Sequence, residues 1–230
     1  MLNTIARLVV LILLLLPALG HAETKENTKS WNMAIITGPL SADKRIKYYL
    51  QPQINFIDDK YKIHNVLGYV GLGYQLDTYK IAWLMNGYSW GKTASGNIHR
   101  IDIIRQQLNW NMSEAGLQHV SSITRLEERK DLGQPMWNVR LRQQIQLRLP
   151  FESWPGHAFV TYDEIFINLN HPAWIHSSTF VEQNRIFIGI GTTLSTEAEL
   201  DIGYINQYQF RNPHDEMSNV LQVRLSINVH

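Results

Sequence analysis

Leu221, Val223, Leu225, Ile227 and Val229 alternate without a break with Gln222, Arg224, Ser226, Asn228 and His230. Successive side chains of a strand point to opposite faces, so this segment is a ribbon with one greasy side and one polar side. The same rule sets Asn138, Arg140, Arg142, Gln144, Gln146 and Arg148 against Trp137, Val139, Leu141, Ile145, Leu147 and Leu149, with Gln143 as the polar intruder. It also sets Lys47, Tyr49, Gln51, Gln53 and Asn55 against Ile46, Tyr48, Leu50, Pro52, Ile54 and Phe56. No helical period competes with these readings. A chain written in this way folds as sheet.

Carried along the chain, the pattern predicts strands over 45–56, 60–75, 79–91, 98–112, 117–129, 136–149, 157–169, 179–192, 197–210 and 218–229. Strands in soluble sheets usually have about five or six residues, whereas crossing a bilayer at a tilt takes about 9 to 11. The fold expected is therefore all-β, an up-and-down antiparallel transmembrane β-barrel of about ten strands, or of twelve. One strand changes phase, because Arg100 and Asp102 fall on the parity opposite to Arg105, Gln107, Asn109 and Asn111. A β-bulge near Ile103-Ile104 would return all six to one face. Trp31 to Thr37 reads as a further short strand, either a lead-in or a partner strand. As an eleventh crossing it would leave the two termini on opposite sides.

The first 22 residues explain how such a chain reaches a membrane. Arg7 precedes the apolar run Leu8 to Leu19, and Gly20-His21-Ala22 offers a small-residue cleavage site. The run is too short to span a bilayer. The expected organisation is a cleaved secretory signal over 1–22 with cleavage after Ala22, a periplasmic lead-in over 23–44, and a barrel over 45–230. The chain has no cysteine, which leaves an exported protein without disulfides and without a lipoprotein anchor. Charged residues make up 18% against about 25% in an average soluble domain, while Trp and Tyr number 7 and 10. Few charges and many amphipathic aromatics suit a surface that meets lipid headgroups. A formal charge of +1 without a basic tract argues against nucleic acid as a partner.

The connections fit the bacterial outer membrane. With residue 45 on the periplasmic side, the inner turns are 75–78, 113–116, 150–156 and 194–197, and the outer loops 57–60, 91–96, 130–135, 169–178 and 211–217 are longer on average. Phe56, Trp90, Trp137, Phe180, Tyr208 and Phe210 then gather near the outer rim, and Tyr48, Tyr74, Tyr79, Trp110 and Phe159 near the inner one. Aromatics favour strands anywhere, so belts of this kind follow only if the strand ends are placed correctly.

Several polar runs come in a fixed order: Arg105-Gln-Gln107, Arg125-Leu-Glu127 with Glu128-Arg129 behind it, Arg140-Leu-Arg142, Tyr162-Asp-Glu164-Ile-Phe-Ile-Asn168, Gln183-Asn-Arg185 through Gly191, and Glu199 through Gln207. In this the chain, from about Trp31 to His230, resembles the bacterial family catalogued as domain of unknown function 2490. The resemblance implies an outer-membrane β-barrel and lends no reaction. The chain ends on His230 after Val229, where many outer-membrane barrels finish on Phe or Trp. Outer-membrane lipids and, during biogenesis, the barrel-assembly machinery are the partners that such a fold implies.

Most of these polar positions share the inward face. Arg105, Arg125, Arg140, Arg142, Arg185 and Arg224 are opposed there by Glu127, Glu164, Glu199 and Asp201. Barrels of about eight strands are filled by side chains and those of about sixteen leave a channel, so a ladder of ion pairs filling the interior is expected. Were the lumen open, its excess of Arg would favour anions. The role expected is a structural envelope component or a narrow passive pore for small solutes.

Two other classes remain open. His119-Val-Ser121 is similar to the His-x-Ser pair of outer-membrane phospholipase A and lipid A deacylase, which would make the chain a lipid-modifying hydrolase. Ser121, however, shares parity with inward Arg125 and Glu127, and Gly133 stands where a third member is expected. A soluble periplasmic lipocalin-like binder would instead turn each apolar face inward around a ligand. Gly68, Gly71 and Gly73 lie inside a strand with no helix after them, so they read as close-packing or bend sites rather than a phosphate cradle. The nine histidines lack metal-ligand spacing, and His171 and His176 lie with Trp174 on the longest outer loop. Neither a metal nor a cofactor is expected.

Overall fold

Alternation of this kind leaves each strand with unpaired backbone groups on both edges, and a sheet removes its edges fully only by closing on itself. That is the architecture found. The structure, a computed structural model, describes residues 25–57, 62–92, 98–177 and 179–230. The expected signal segment and its cleavage position after Ala22 lie outside them. The strands are β1 (Lys25–Pro39), β2 (Ile46–Ile57), β3 (Lys62–Gln75), β4 (Lys80–Lys92), β5 (Ile98–Asn111), β6 (Val120–Asp131), β7 (Asn138–Pro150), β8 (His157–Asn168), β9 (Val181–Thr193), β10 (Ala198–Gln209) and β11 (Glu216–Asn228). Each pairs with its sequence neighbours in antiparallel fashion, and β1 closes the barrel against β11.

The strand number is thus eleven rather than ten or twelve, and the difference is β1. The short strand expected at Trp31 to Thr37 runs from Lys25 to Pro39 and pairs on both sides, so the barrel begins at Lys25 and not at residue 45. An odd number cannot close with antiparallel pairs throughout. The seam is accordingly parallel, in continuous register from Lys25↔Glu216 to Thr37↔Asn228. We refer to the end where β1 and β11 start as the N-terminal rim, and to the end where they finish as the C-terminal rim.

The bulge expected near Ile103-Ile104 is absent. The ladders of β5 with β4 and β6 run without a shift, which turns Ile101 and Ile103 inward and Arg100 and Asp102 outward. Packing decides this. Ile103 sits in an apolar cluster with Tyr49, Tyr69, Trp83 and Met85, while Arg100 and Asp102 lie near the start of β5 at the N-terminal rim. The register does shift at Asn55/Phe56 in β2 and at Phe166/Ile167 in β8.

The two faces of the wall differ sharply. Many outward side chains are aliphatic and uncovered, with Leu84 59% and Val70 57% exposed, and Leu72, Ile188, Ile202 and Leu221 close behind. Most charged, amide and ring side chains on the inward face are buried, together with a few aliphatic ones such as Ile103 and Met85. A second apolar cluster, Trp31, Ala158, Val160, Tyr162, Phe187, Ile205 and Val220, fills the interior against β1 and β8–β11. Glycines on the inward face make room for the rings. A Cβ on Gly73 would collide with the Trp83 ring and one on Gly71 with Met85, the close packing expected there, whereas one on Gly68 would meet nothing; a Cβ on Gly87 would collide with the Tyr69 ring.

Candidate functional site

Between the two apolar clusters lies a lattice of arginines and carboxylates, built by the period of two. Arg105 on β5, Arg125, Glu127 and Arg129 on β6, Arg140 and Arg142 on β7, and Glu164 on β8 come to one face because their strands pair in register: Arg105↔Glu127, Glu127↔Arg140, Arg125↔Arg142. Cross-strand neighbours on one face stand within reach of long side chains. Charge alternation along and across the strands does the rest.

Glu127 is the hub. It has no solvent exposure and receives Arg105 Nη2 at 2.7 Å, Arg140 Nη2 at 2.6 Å and Arg142 Nη1 at 2.7 Å. Arg142 passes on to Glu164 at 2.7 Å, where Arg125 also binds and where Arg185 stands at 3.7 Å. Arg140 passes on to Glu182 at 2.8 Å, which Arg129 approaches at 3.3 Å. Towards the C-terminal rim Asp201 holds Arg148 at 2.9 Å together with Arg224, while Glu199, half exposed, meets Arg148 at 3.3 Å. Isolated buried charges cost several kcal/mol each, and here Glu127, Glu164, Glu182 and Asp201 are each shared among guanidiniums, most of them at charge-assisted distances.

Aromatic faces complete the coordination of the arginines. The Arg105 guanidinium lies 3.6 Å from the Tyr69 centroid, Arg142 and Arg185 lie 4.3 and 4.4 Å from that of Phe166, and Arg185 lies 4.5 Å from Trp31. A ring's negative face stabilises a desolvated guanidinium that carboxylates alone do not neutralise.

Contacts also reach across the lumen. Arg224 on β11 donates to Gln146 Oε1 on β7 at 3.2 Å, Tyr162 on β8 donates to Gln222 Oε1 on β11 at 3.0 Å, and Arg185 on β9 stacks on Trp31 of β1. With Glu127, Asn138, Asn168, Phe166 and Phe187 all at 0% exposure, no water-sized space touches these side chains. The interior is filled at this level.

A family model described as "Protein of unknown function (DUF2490)" matches residues 28–218, most of the chain and nearly all of the barrel. The chain belongs to this family. An uncharacterized protein of Methylorubrum extorquens is 31% identical to this DUF2490 chain over 112 residues, a match that covers 48% of the chain and 49% of the relative. The match thus spans about half the length of that relative. No solved structure matches.

Within this DUF2490 barrel the residues expected at the interior, Arg105, Arg125, Glu127, Arg140, Arg142, Glu164, Arg185, Asp201 and Arg224, are brought together, and Glu199 joins them from the edge. Three further members, Arg129, Arg148 and Glu182, escape the sequence reading of the site. Arg129 and Arg148 carry the right parity, two residues beyond Glu127 and Gln146. Glu182 does not, because the register shift at Phe166/Ile167 delivers it to the interior. His119 precedes β6 in a left-handed backbone conformation (φ 68°) and is exposed, whereas Ser121 lies in β6 opposite Gln146. Among the described residues no hydrogen bond joins them. Among the described residues, too, no group of three His, Asp or Glu could hold a metal ion. What the lattice can do chemically is hold the walls together. Its carboxylates are occupied by guanidiniums, which leaves none of them disposed as a general base.

Proposed function

We propose that this chain is an integral protein of the bacterial outer membrane, exported by a cleaved signal, whose plugged barrel serves the envelope as a structural component and does not conduct. The observation that carries the reading is the inversion of the two faces: Leu84, Val70, Leu72 and Leu221 outside, Glu127, Arg105, Glu164 and Asp201 inside. In water that arrangement leaves apolar area uncovered far beyond what a soluble monomer exposes. In a bilayer it is the arrangement of lowest free energy.

Two further features support it. Strands of 12 to 15 residues exceed the length needed to cross at a tilt. Outward aromatics mark both rims, Phe56, Trp90 and Tyr208 at the N-terminal one and Tyr48, Tyr74, Trp110 and Phe159 at the C-terminal one. A lipocalin-like binder would need the aliphatic face turned inward, where the charged lattice stands.

Fractionation and conductance test the two halves of the proposal. The full chain should remain with outer membranes after carbonate washing and migrate faster on gels before boiling, and refolded protein in a planar bilayer should give no steady current. Release by osmotic shock would overturn the membrane assignment. Steady anion-leaning currents would overturn the closed interior.

A further inference from the structure

The outward wall is not uniform. On β2–β6 it carries a groove of about 650 Å³ with an apolar lining that includes Ile46, Leu72, Tyr74, Leu84, Leu108 and Leu126. Its origin is one small residue. Ile46, Tyr74, Ala82, Leu108 and Thr124 form a single outward row across β2–β6, and Ala82 is the dip between Tyr74 and Leu108. Gln106 and Thr124, polar members of the lining, spend their hydrogen bonds on Glu128 (3.4 Å) and Gln143 (2.7 Å), neighbours in the same wall. The floor therefore offers contact to an apolar chain and little else.

Polar chemistry sits at the C-terminal rim end of the groove. The Arg45 guanidinium lies 4.7 Å from the centroid of Tyr74, itself a groove residue, and Lys80 lies 5.6 Å from that of Trp110, two residues along the outward face from Leu108. Lys80 is balanced by Asp77 and Glu114. Arg45 makes no direct ion pair among the described residues, although Asp43 two residues before it feels its charge. Among the described residues no carboxylate pairs with its guanidinium, whose one hydrogen bond is to the Gln75 carbonyl at 3.5 Å. The nearby Asp43 carboxylate is turned instead to the Ser41 hydroxyl and to the backbone N–H of Arg45. Exposed Lys44 in the same turn adds a second positive charge.

An apolar trough that ends at a guanidinium with no direct ion-pair partner among the described residues has the polarity of a phospholipid laid along the wall. We propose that this groove is a specific lipid site, which takes an acyl chain of an anionic phospholipid along Ala82 and its headgroup phosphate on Arg45. Guanidinium offers the phosphate a fork of parallel N–H donors, and the Tyr74 face holds that fork at the groove's end. The inference rests on the membrane reading above and adds to it a preferred lipid and a place.

The test uses the full-length mature chain refolded in a mild non-ionic detergent, with equal amounts of dioleoyl phosphatidylglycerol and dioleoyl phosphatidylcholine, and counts retained lipids by native mass spectrometry. Phosphatidylglycerol should be retained about fivefold over phosphatidylcholine, the ratio expected of one interfacial cation. Arg45→Ala should erase the preference while chains still bind. Ala82→Trp should fill the trough and strip both lipids, and Ile202→Trp on the distant outward face of β10 should change nothing. The heat-modifiable band of each variant reports that it has folded. Equal retention of the two lipids by the unmodified chain, or unaltered retention by a folded Ala82→Trp variant, overturns the proposal. Recovery of the chain in the soluble fraction would instead sink the membrane reading, so the two failures are distinguishable.

Discussion

At the scale of single residues, Glu127 and Glu199 show how position sets the worth of a charge. Glu127 is wholly buried and shared by Arg105, Arg140 and Arg142. Glu127→Gln keeps the shape but leaves three desolvated guanidiniums short of a counter-charge. Removing one partner of a buried ionic group costs about 3–5 kcal/mol, and a loss of that size is expected in urea unfolding of the micelle-embedded protein. Glu199, half exposed at 3.3 Å from Arg148, is the counter-case. Glu199→Gln should change stability by at most about 1 kcal/mol in the same measurement. The hub could be placed inside from the sequence, since the parity of Glu127 matches that of Arg125 and the alternation of Arg140 and Arg142. Its rank among the carboxylates could not. How many guanidiniums one carboxylate gathers depends on strand stagger, which the period of two leaves undetermined.

At the scale of elements, what is legible in the sequence and what is not follow from the contrast between faces. β7 and β11 alternate cleanly because one side carries outward aliphatic residues and the other joins the charged lattice. β1 does not, because its inward face carries Trp31, Met33 and Ile35 beside Asn27 and Lys29 while its outward face carries Glu26, Thr28, Ser30 and Asn32. With Ala34 and Ile36 following on the outward face, both faces turn from polar to apolar together, so the strand gives no steady amphipathic signal and the sequence understates its length. The bulge expected in β5 is missing for a related reason: a charge near a rim can face outward at small cost, so parity is a poor guide there. Within β4, Gly87 faces the Tyr69 ring on which Arg105 stacks. Gly87→Val should cost about 1–3 kcal/mol through overpacking against Tyr69, readable in the same urea unfolding measurement. The turn between β3 and β4 makes a pH-dependent contribution. The backbone N–H of Tyr79 (2.7 Å), with that of Lys80 (2.8 Å), holds the Asp77 carboxyl below its ordinary value. A folded-state pKa below the unfolded one means that the carboxylate stabilises above the unfolded value of 3.8 and that this is lost as pH falls through the folded one. The stability gap between the native chain and Asp77→Ala should therefore be constant above about pH 5 and narrow on further acidification.

At the scale of the whole molecule, the parity of the strand count decides where the ends of the barrel lie. An even, wholly antiparallel barrel brings its first and last strands together at one rim with both ends on the same side. With eleven strands and a parallel seam, Lys25 lies beside Glu216 at the N-terminal rim, and Asn228 lies beside Thr37 at the other. The seam is no weaker in extent than its neighbours, running through the length of β1, and the Lys29–Glu216 pair at 3.0 Å fastens its beginning. Because the chain lacks cysteine, single introduced thiols can map the rims without background. A thiol at Glu26 should react with a membrane-impermeant maleimide from the same side of oriented vesicles as one at Asn212. A thiol at His230 should react from the opposite side, together with one at Asp43. Labelling of positions 26 and 230 from one side would mean an even barrel, with β1 displaced from the seam, and the parallel register of β1 against β11 would fail with it. Labelling from opposite sides also constrains how the barrel can be assembled. A parallel seam cannot form as a hairpin, so β1 and β11, the two ends of the barrel, must meet in one orientation after the intervening hairpins are in place.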